Sequence, residues 1–120
     1  MKIISFAHTT PALLAGRKTV TRREWNPRYA QSFEAGDLVQ AYDRSPRIGG
    51  KKVCEIRLTR EPYLSNEYPE EDFEGEGFRY FEQVDGSAAI LGLPARELWA
   101  KWQRERPYFW VVRFELVEAL

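Results

Sequence analysis

Gly16-Arg17-Lys18-Thr19-Val20-Thr21-Arg22-Arg23 crowds amine, hydroxyl and guanidinium groups directly behind a helix stop, at the point where a strand can begin. Upstream, Thr10 stands at an N-cap position, Pro11 has the fixed backbone angle of a first helical residue, and Gly16 can take the left-handed conformation that closes a helix. The spacing predicts a short helix over 11–15 that delivers Lys18, Thr21 and Arg23 to a defined place. Such a stretch reads as a polar site rather than as core.

Outward from it, residues 2–6 read as a first strand. Ala35-Gly36-Asp37 is a turn signal before a strand over 38–42, and the loop 45–50 joins that strand to another over 51–59. There Cys54, Ile56 and Leu58 alternate with Glu55 and Arg57, the period of a half-buried strand, so the pair reads as a hairpin with a long tip. Near the end of the chain, Pro94 opens a helical stretch with Leu98 and Trp102 four apart. Pro107 stops it before a strongly strand-forming run over 108–117. Short strands divided by loops, with two minor helices, predict an α+β domain built on a small mixed β-barrel with peripheral short helices.

With 120 residues, 43% of them hydrophobic, the chain suits one domain over 1–120 with a single core. No run approaches the roughly 20 apolar residues that span a bilayer, and no signal-peptide pattern follows Lys2, so a soluble, cytoplasmic protein without a membrane partner is expected. Cys54 is the only cysteine, which excludes an internal disulfide and a cysteine-based zinc site. Its place in an alternating strand predicts an inert, packed thiol.

The zero net charge hides an imbalance. Residues 1–60 carry 12 Lys and Arg against 5 Asp and Glu, a balance of +7, and residues 61–120 carry 6 against 13, a balance of −7. Either the two halves mix into an ordinary soluble surface, or the basic half, with Arg17, Lys18, Arg22, Arg23, Arg28, Arg44, Arg47, Lys51 and Lys52, supplies a phosphate-attracting face. Residues 67–76 hold six carboxylates. Such runs are commonly solvated loops, although crowding also raises carboxyl pKa values, as a general acid requires. The run lacks the layout of a calcium loop, and with His8 the lone histidine no metal and no cofactor are expected. The segment 81–93 is compatible with a loop, a helical turn or a lid.

Gly16-x-Lys18-x-x-Thr21-x-Arg23, then Ala35-Gly36-Asp37, Glu76-Gly77-Phe78 and the closing run from Tyr108 to Phe114, together resemble an ASCH domain over nearly the whole chain. The resemblance implies a PUA-like fold, a small β-barrel with a cleft suited to RNA or a nucleobase. Many ASCH sequences have Glu where this chain has Thr21. Those with Thr resemble an amidohydrolase branch that removes acyl groups from N4-acetylcytidine with a Lys, a Thr and a Glu. Carried over by residue, these fall on Lys18, Thr21 and Glu76, with Glu74 as the second choice for the carboxylate because 81–93 looks like inserted sequence.

The chemistry stands beside the resemblance. Amide hydrolysis needs a nucleophile, a base and an acid for the leaving nitrogen. Thr21 offers a hydroxyl, and Lys18 becomes a base if desolvation and Arg22 or Arg23 lower its pKa. Alternatively, Lys18 activates water and Thr21 only binds substrate. Glu76 would protonate the nitrogen or orient water, and Arg23, with Arg22, would meet the developing oxyanion or a phosphate. One objection is geometric: residues three apart face opposite sides of an ideal strand, so Lys18 and Thr21 share a site only if the stretch turns. Otherwise it is an edge strand with solvated Lys18 and Arg22.

Trp25, Tyr29, Phe33 and Tyr42 lie among basic residues, which makes Trp25 and Tyr42 candidates for stacking a base. Trp99, Trp102, Phe109 and Trp110 read as packing. His8 is placed either to line the cleft mouth or simply to end a strand. Two function classes follow: a metal-independent amidohydrolase acting on a modified nucleoside, or a non-catalytic RNA- or nucleotide-binding module in which Lys18, Arg22 and Arg23 grip phosphates, with Arg17 beside them, and Thr21 reads a base. The resemblance also permits ribonuclease activity. Oligomeric partners are not legible.

Overall fold

The computed structural model describes residues 2–86 and 88–119. Its strands are β1 (Lys2–Ser5), β2 (Val20–Arg23), β3 (Leu38–Tyr42), β4 (Lys52–Leu58), β5 (Tyr63–Ser65), β6 (Ala89–Ile90), β7 (Leu93–Pro94) and β8 (Phe109–Ala119). Its helices are α1 (Thr10–Leu14), α2 (Pro27–Ala30), α3 (Glu71–Gly75), α4 (Phe78–Val84) and α5 (Ala95–Glu105). Six strands form one mixed sheet in the order β1-β3-β4-β8-β2, with β5 also on β8 and only β1 and β3 parallel.

The long β8 changes partners along its length. Its first half pairs with β2, Thr21 opposite Val112, and its second half with β4, Leu58 opposite Phe114. Register shifts at Ala41/Tyr42 and Glu55/Ile56 add the local twist that bulges give. The sheet consequently curls into a half-barrel, and the α+β class read from the sequence is borne out. On its concave side lies a cluster that includes Phe6, Leu13, Val39, Ile56, Val112 and Phe114, and the strand alternation at Cys54, Ile56 and Leu58 is buried as expected. Burial pushes the Cys54 thiol up, in keeping with an inert side chain.

A second apolar cluster, Phe73, Phe78, Ile90, Ala95, Leu98 and Trp99, is built by α3, α4, α5 and the β6–β7 hairpin. Here the sequence reading needs correction. Five helices are present among the described residues, not two, because the acidic run and the residues after it coil into α3 and α4. The capped Asn26-Pro27 signal for α2 went unread: the Asn26 side chain accepts from the Arg28 N–H at 2.8 Å. Thr10 is the first helical residue, not the cap, since a 3-10 turn over Ala7–Thr9 runs straight into α1. The stretch 81–93 divides into the end of α4 and the β6–β7 hairpin, with Ser87 outside the described residues. No described helix is long and apolar enough to cross a membrane.

Leu91 and Gly92 make the two-residue turn of that hairpin with φ of +52° and +85°, the geometry that favours Asn-Gly. Leu91 is also 74% exposed. A left-handed leucine costs about 1–2 kcal/mol. Leu91→Asn is therefore expected to raise stability by about 1 kcal/mol, read as a higher melting temperature. A lower one would mean that the leucine makes contacts that offset its backbone strain.

Candidate functional site

Backbone contacts lay the acidic run onto the 16–23 stretch. The Thr19 N–H donates to the Gly75 carbonyl at 2.7 Å, and the Lys18 amine donates to the Glu76 carbonyl at 2.8 Å. Gly77 makes the approach possible. Its φ is +89°, and a Cβ there would stand 2.7 Å from that of Ala12. Gly77→Ala is expected to lower stability by about 2–4 kcal/mol, from the left-handed backbone and the overlap together, as measured by urea unfolding.

Around this junction five side chains form an ionic chain, buried except at its Arg113 end. Lys18 Nζ is 3.2 Å from Glu76 Oε1, and Arg22 Nη1 is 2.7 Å from Glu76 Oε2. Arg22 Nη2 is 2.7 Å from Asp72 Oδ2, which Arg113 Nη2 also meets at 2.8 Å, while Arg113 Nη1 reaches Asp72 Oδ1 at 3.0 Å. Arg113 in turn donates to the Tyr63 hydroxyl at 2.9 Å. Lys18, Thr21, Arg22, Asp72 and Glu76 are the buried polar residues of the described chain. Arg22 lies 5.0 Å from the Tyr68 ring centroid and 5.8 Å from that of Trp99.

Burial sets the direction of the first group. Desolvation lowers the Lys18 pKa below its ordinary 10.5, Glu76 opposes that shift, and Arg23 and Arg22 add to it. At Asp72 burial works upward, but hydrogen bonds from Arg113 and Arg22 outweigh it and hold the carboxyl below 3.8. The Tyr68 hydroxyl, which donates to the Pro107 carbonyl, is pushed up to about 12, chiefly by burial.

Lys18, Thr21, Arg22, Arg23 and Glu76 all border one cavity of about 600 Å³, within the roughly 300–1,000 Å³ of small-molecule sites. The Thr21 hydroxyl accepts from Arg23 Nε at 3.0 Å, which leaves its own hydrogen free to be given up. Apolar and aromatic walls come from Phe6, Phe78, Ile90, Leu93, Trp102 and Phe109, and exposed His8 and Lys101 stand at the rim. The objection about strand geometry is met because Lys18 precedes β2 and its chain has not yet become extended strand. β2 is an edge strand, as the plainer reading had it, yet Lys18 and Arg22 are buried rather than solvated. Among the described residues no group of three or more His, Cys, Asp or Glu is placed to hold a metal ion.

No protein-family model and no curated protein matches the sequence. The structure does find a counterpart: protein EF3133 from Enterococcus faecalis V583, whose crystal structure is described with the family model DUF984, with a TM-score of 0.60 over 99% of this chain and 81% of that one. The chain has the fold of a DUF984 protein. At 18% identity that likeness speaks for the fold alone.

Other residues proposed from the sequence lie elsewhere. Arg17 pairs with Glu74 at 3.0 Å and faces Tyr80 at 5.7 Å, outside the cavity lining; of the two carboxylates weighed, Glu76 lines the cavity, beside Glu24, and Glu74 does not. Trp25 stacks on Phe33 at 4.9 Å and 10°, against the sheet core, and neither it nor Tyr42 lines the cavity. The aromatic walls include Trp102 and Phe109, read from sequence as packing only. Asp72 and Arg113 were missed. Asp72 is four residues before Glu76, a spacing that puts both on one helical face, whereas Arg113 in its apolar strand carried no signal beyond alternation.

Proposed function

We propose that the cavity binds a nucleoside acylated on an exocyclic base nitrogen, of the N4-acylcytidine kind, and that the protein hydrolyses that amide without a metal. The observation that supports this most is the Lys18 amine, buried at 2% exposure and hydrogen-bonded to Glu76, in the cavity that Thr21 also lines. A lysine that grips phosphate works as a hydrated cation; one drawn out of water toward its neutral form works as a base.

Neutral Lys18 takes the proton from Thr21 Oγ1 or from a water, and that oxygen adds to the acyl carbon. Arg23, already bonded to Thr21, meets the negative charge that develops on the carbonyl oxygen. The C–N bond then breaks, and the leaving nitrogen receives the proton held by Lys18, with Glu76 positioned to pass it on. If Thr21 is the nucleophile, a water deprotonated by Lys18 then cleaves the threonyl ester. One water is consumed, and a free base amine and a carboxylate result. The aromatic walls, Phe78, Trp102 and Phe109 among them, suit a flat heterocycle.

The RNA-binding reading draws on exposed Lys101 and His8 at the rim. Against it, Lys18 and Arg22 are matched by buried carboxylates and Arg17 by Glu74, so these three are not free cations for phosphate, although Arg28, Arg44, Arg47 and Lys51 are exposed. Product analysis with N4-acylcytidines separates the alternatives. Wild type is expected to release cytidine and Thr21→Ala is not, while Thr21→Ser retains activity if the hydroxyl is the nucleophile. Absence of turnover, together with affinity for single-stranded RNA that falls steeply with salt, would favour the binding module instead.

A further inference from the structure

The buried ionic chain extends well beyond the groups that the chemistry above uses. Asp72 and Arg113 touch neither Thr21 nor Lys18, yet Asp72 is almost fully buried, its side chain only 3% exposed, and both its oxygens are taken by guanidiniums. Each of the two changes the charge around Lys18 when it is removed alone. In the intact chain Arg113 is matched by Asp72 and Arg22 by Glu76, so a protonated Lys18 is the unmatched charge. Protonating Lys18 leaves an excess positive charge in a buried network, beside Arg23. Geometry acts in the same sense. Asp72 and Arg113 fix Arg22, and Arg22 holds one oxygen of Glu76 at 2.7 Å, leaving Lys18 only the other, at 3.2 Å.

We propose that Asp72 and Arg113 are positioning residues which, through Arg22 and Glu76, set how Lys18 is poised between ammonium and free amine, Arg113 favouring the neutral base and Asp72 the charged form. The role of Lys18 as base rests on the function proposed above; the charge coupling does not. Lys18 is faced by Glu76 from the α3–α4 junction and by Arg22 and Arg23 from β2. The same cavity is bordered by His8 before α1, Glu24 after β2 and Lys101 on α5, none of which belongs to the buried chain. Neutral Tyr68 packs under Arg22.

Opposite signs make the coupling testable. Asp72→Asn removes a negative charge and frees Arg22 to draw Glu76 away from Lys18, both of which push Lys18 titration to lower pH. Arg113→Met removes a positive charge and lets Asp72 satisfy Arg22 alone, both of which move it to higher pH. The experiment follows the Lys18 side-chain resonances of the full chain by NMR against pH in wild type and both variants. In parallel it records the acid limb of kcat/KM on an N4-acylcytidine. Displacements in opposite directions, with the limb following and the plateau of Asp72→Asn lowered up to about 100-fold, are expected.

Unfolding that tracks the loss of buried charge while Lys18 titrates unchanged in Arg113→Met would reduce both residues to a structural role and overturn the proposal. Arg113 is the more exposed partner, so that variant carries the test if Asp72→Asn does not fold. Opposite displacements without amide cleavage by wild type would uphold the coupling and sink the amidohydrolase function. Cleavage with no displacement would do the reverse.

Discussion

Asp72→Asn is expected to lower stability by about 3–5 kcal/mol, the usual consequence of removing one partner from a buried ion pair. The substitution keeps the shape but takes away the charge that Arg22 meets at 2.7 Å and Arg113 at 2.8 and 3.0 Å. Against the roughly 5–15 kcal/mol that holds a domain folded, the urea midpoint falls far below that of wild type. The pH dependence has a definite sign. Burial alone would raise the Asp72 carboxyl, but Arg113 and Arg22 hold it below 3.8. Its contribution to stability is therefore complete above the unfolded carboxyl value of about 3.9 and is lost as pH falls through the lower folded value. Wild type is expected to lose stability steeply below about pH 4, and Asp72→Asn to show a flatter acid limb. Equal midpoints at neutral pH would mean that the arginine fork contributes nothing net.

Lys18→Met is expected to reduce kcat/KM for an N4-acylcytidine by about 10²–10⁴-fold, the range attributed to a positioned acid or base, while stability at neutral pH changes little. Methionine fills the space of the lysine stem without an amine, and Glu76 keeps Arg22 at 2.7 Å, so no carboxylate is stranded. A second readout belongs to the same variant. Burial lowers the folded Lys18 pKa, so between that value and 10.5 the unfolded chain binds the extra proton, and wild-type stability rises with pH across that window. In Lys18→Met this rise disappears. Strong destabilisation at neutral pH would instead indicate a lysine kept charged to satisfy Glu76, and the base role would fall with it.

Much of the half-barrel was legible because strand alternation is a local signal. Cys54, Ile56 and Leu58 face inward in β4 as their spacing required, and Leu38–Tyr42 forms β3 at the predicted residues. The helices over 71–84 were hidden by their composition. Acidic residues on the exposed side of α3 masked Asp72 and Phe73 turning inward, and two short helices around Gly77 give too little periodicity to read. Lys18, Thr21, Arg22, Arg23 and Glu76 could be nominated from spacing and resemblance. What sequence could not supply is pairing across 54 residues between Arg22 and Glu76 and across 41 between Asp72 and Arg113.

Part of the charge imbalance between the halves of the chain is pairing between them. Arg17, Lys18 and Arg22 of the basic half meet Glu74, Glu76 and Asp72 of the acidic half, while Arg28, Arg44, Arg47 and Lys51 are exposed. Trp25 and Tyr42 followed a pattern of interleaved aromatics and cations, but Trp25 lies flat on Phe33 and Lys2 sits 4.8 Å over that ring, so this aromatic group packs with itself. Apart from Phe6 after β1, the phenylalanine and tryptophan rings that line the cavity belong to α4, α5 and β8, where such side chains in apolar runs look from sequence like core.

Incubation of free N4-acetylcytidine with the wild-type protein, beside Lys18→Met, with mass spectrometry of the products, tests the central claim most directly. Release of cytidine and acetate by wild type and not by the variant is the expected result. An unchanged nucleoside, or equal release by both proteins, would contradict a buried Lys18 base acting on an acylated nucleoside.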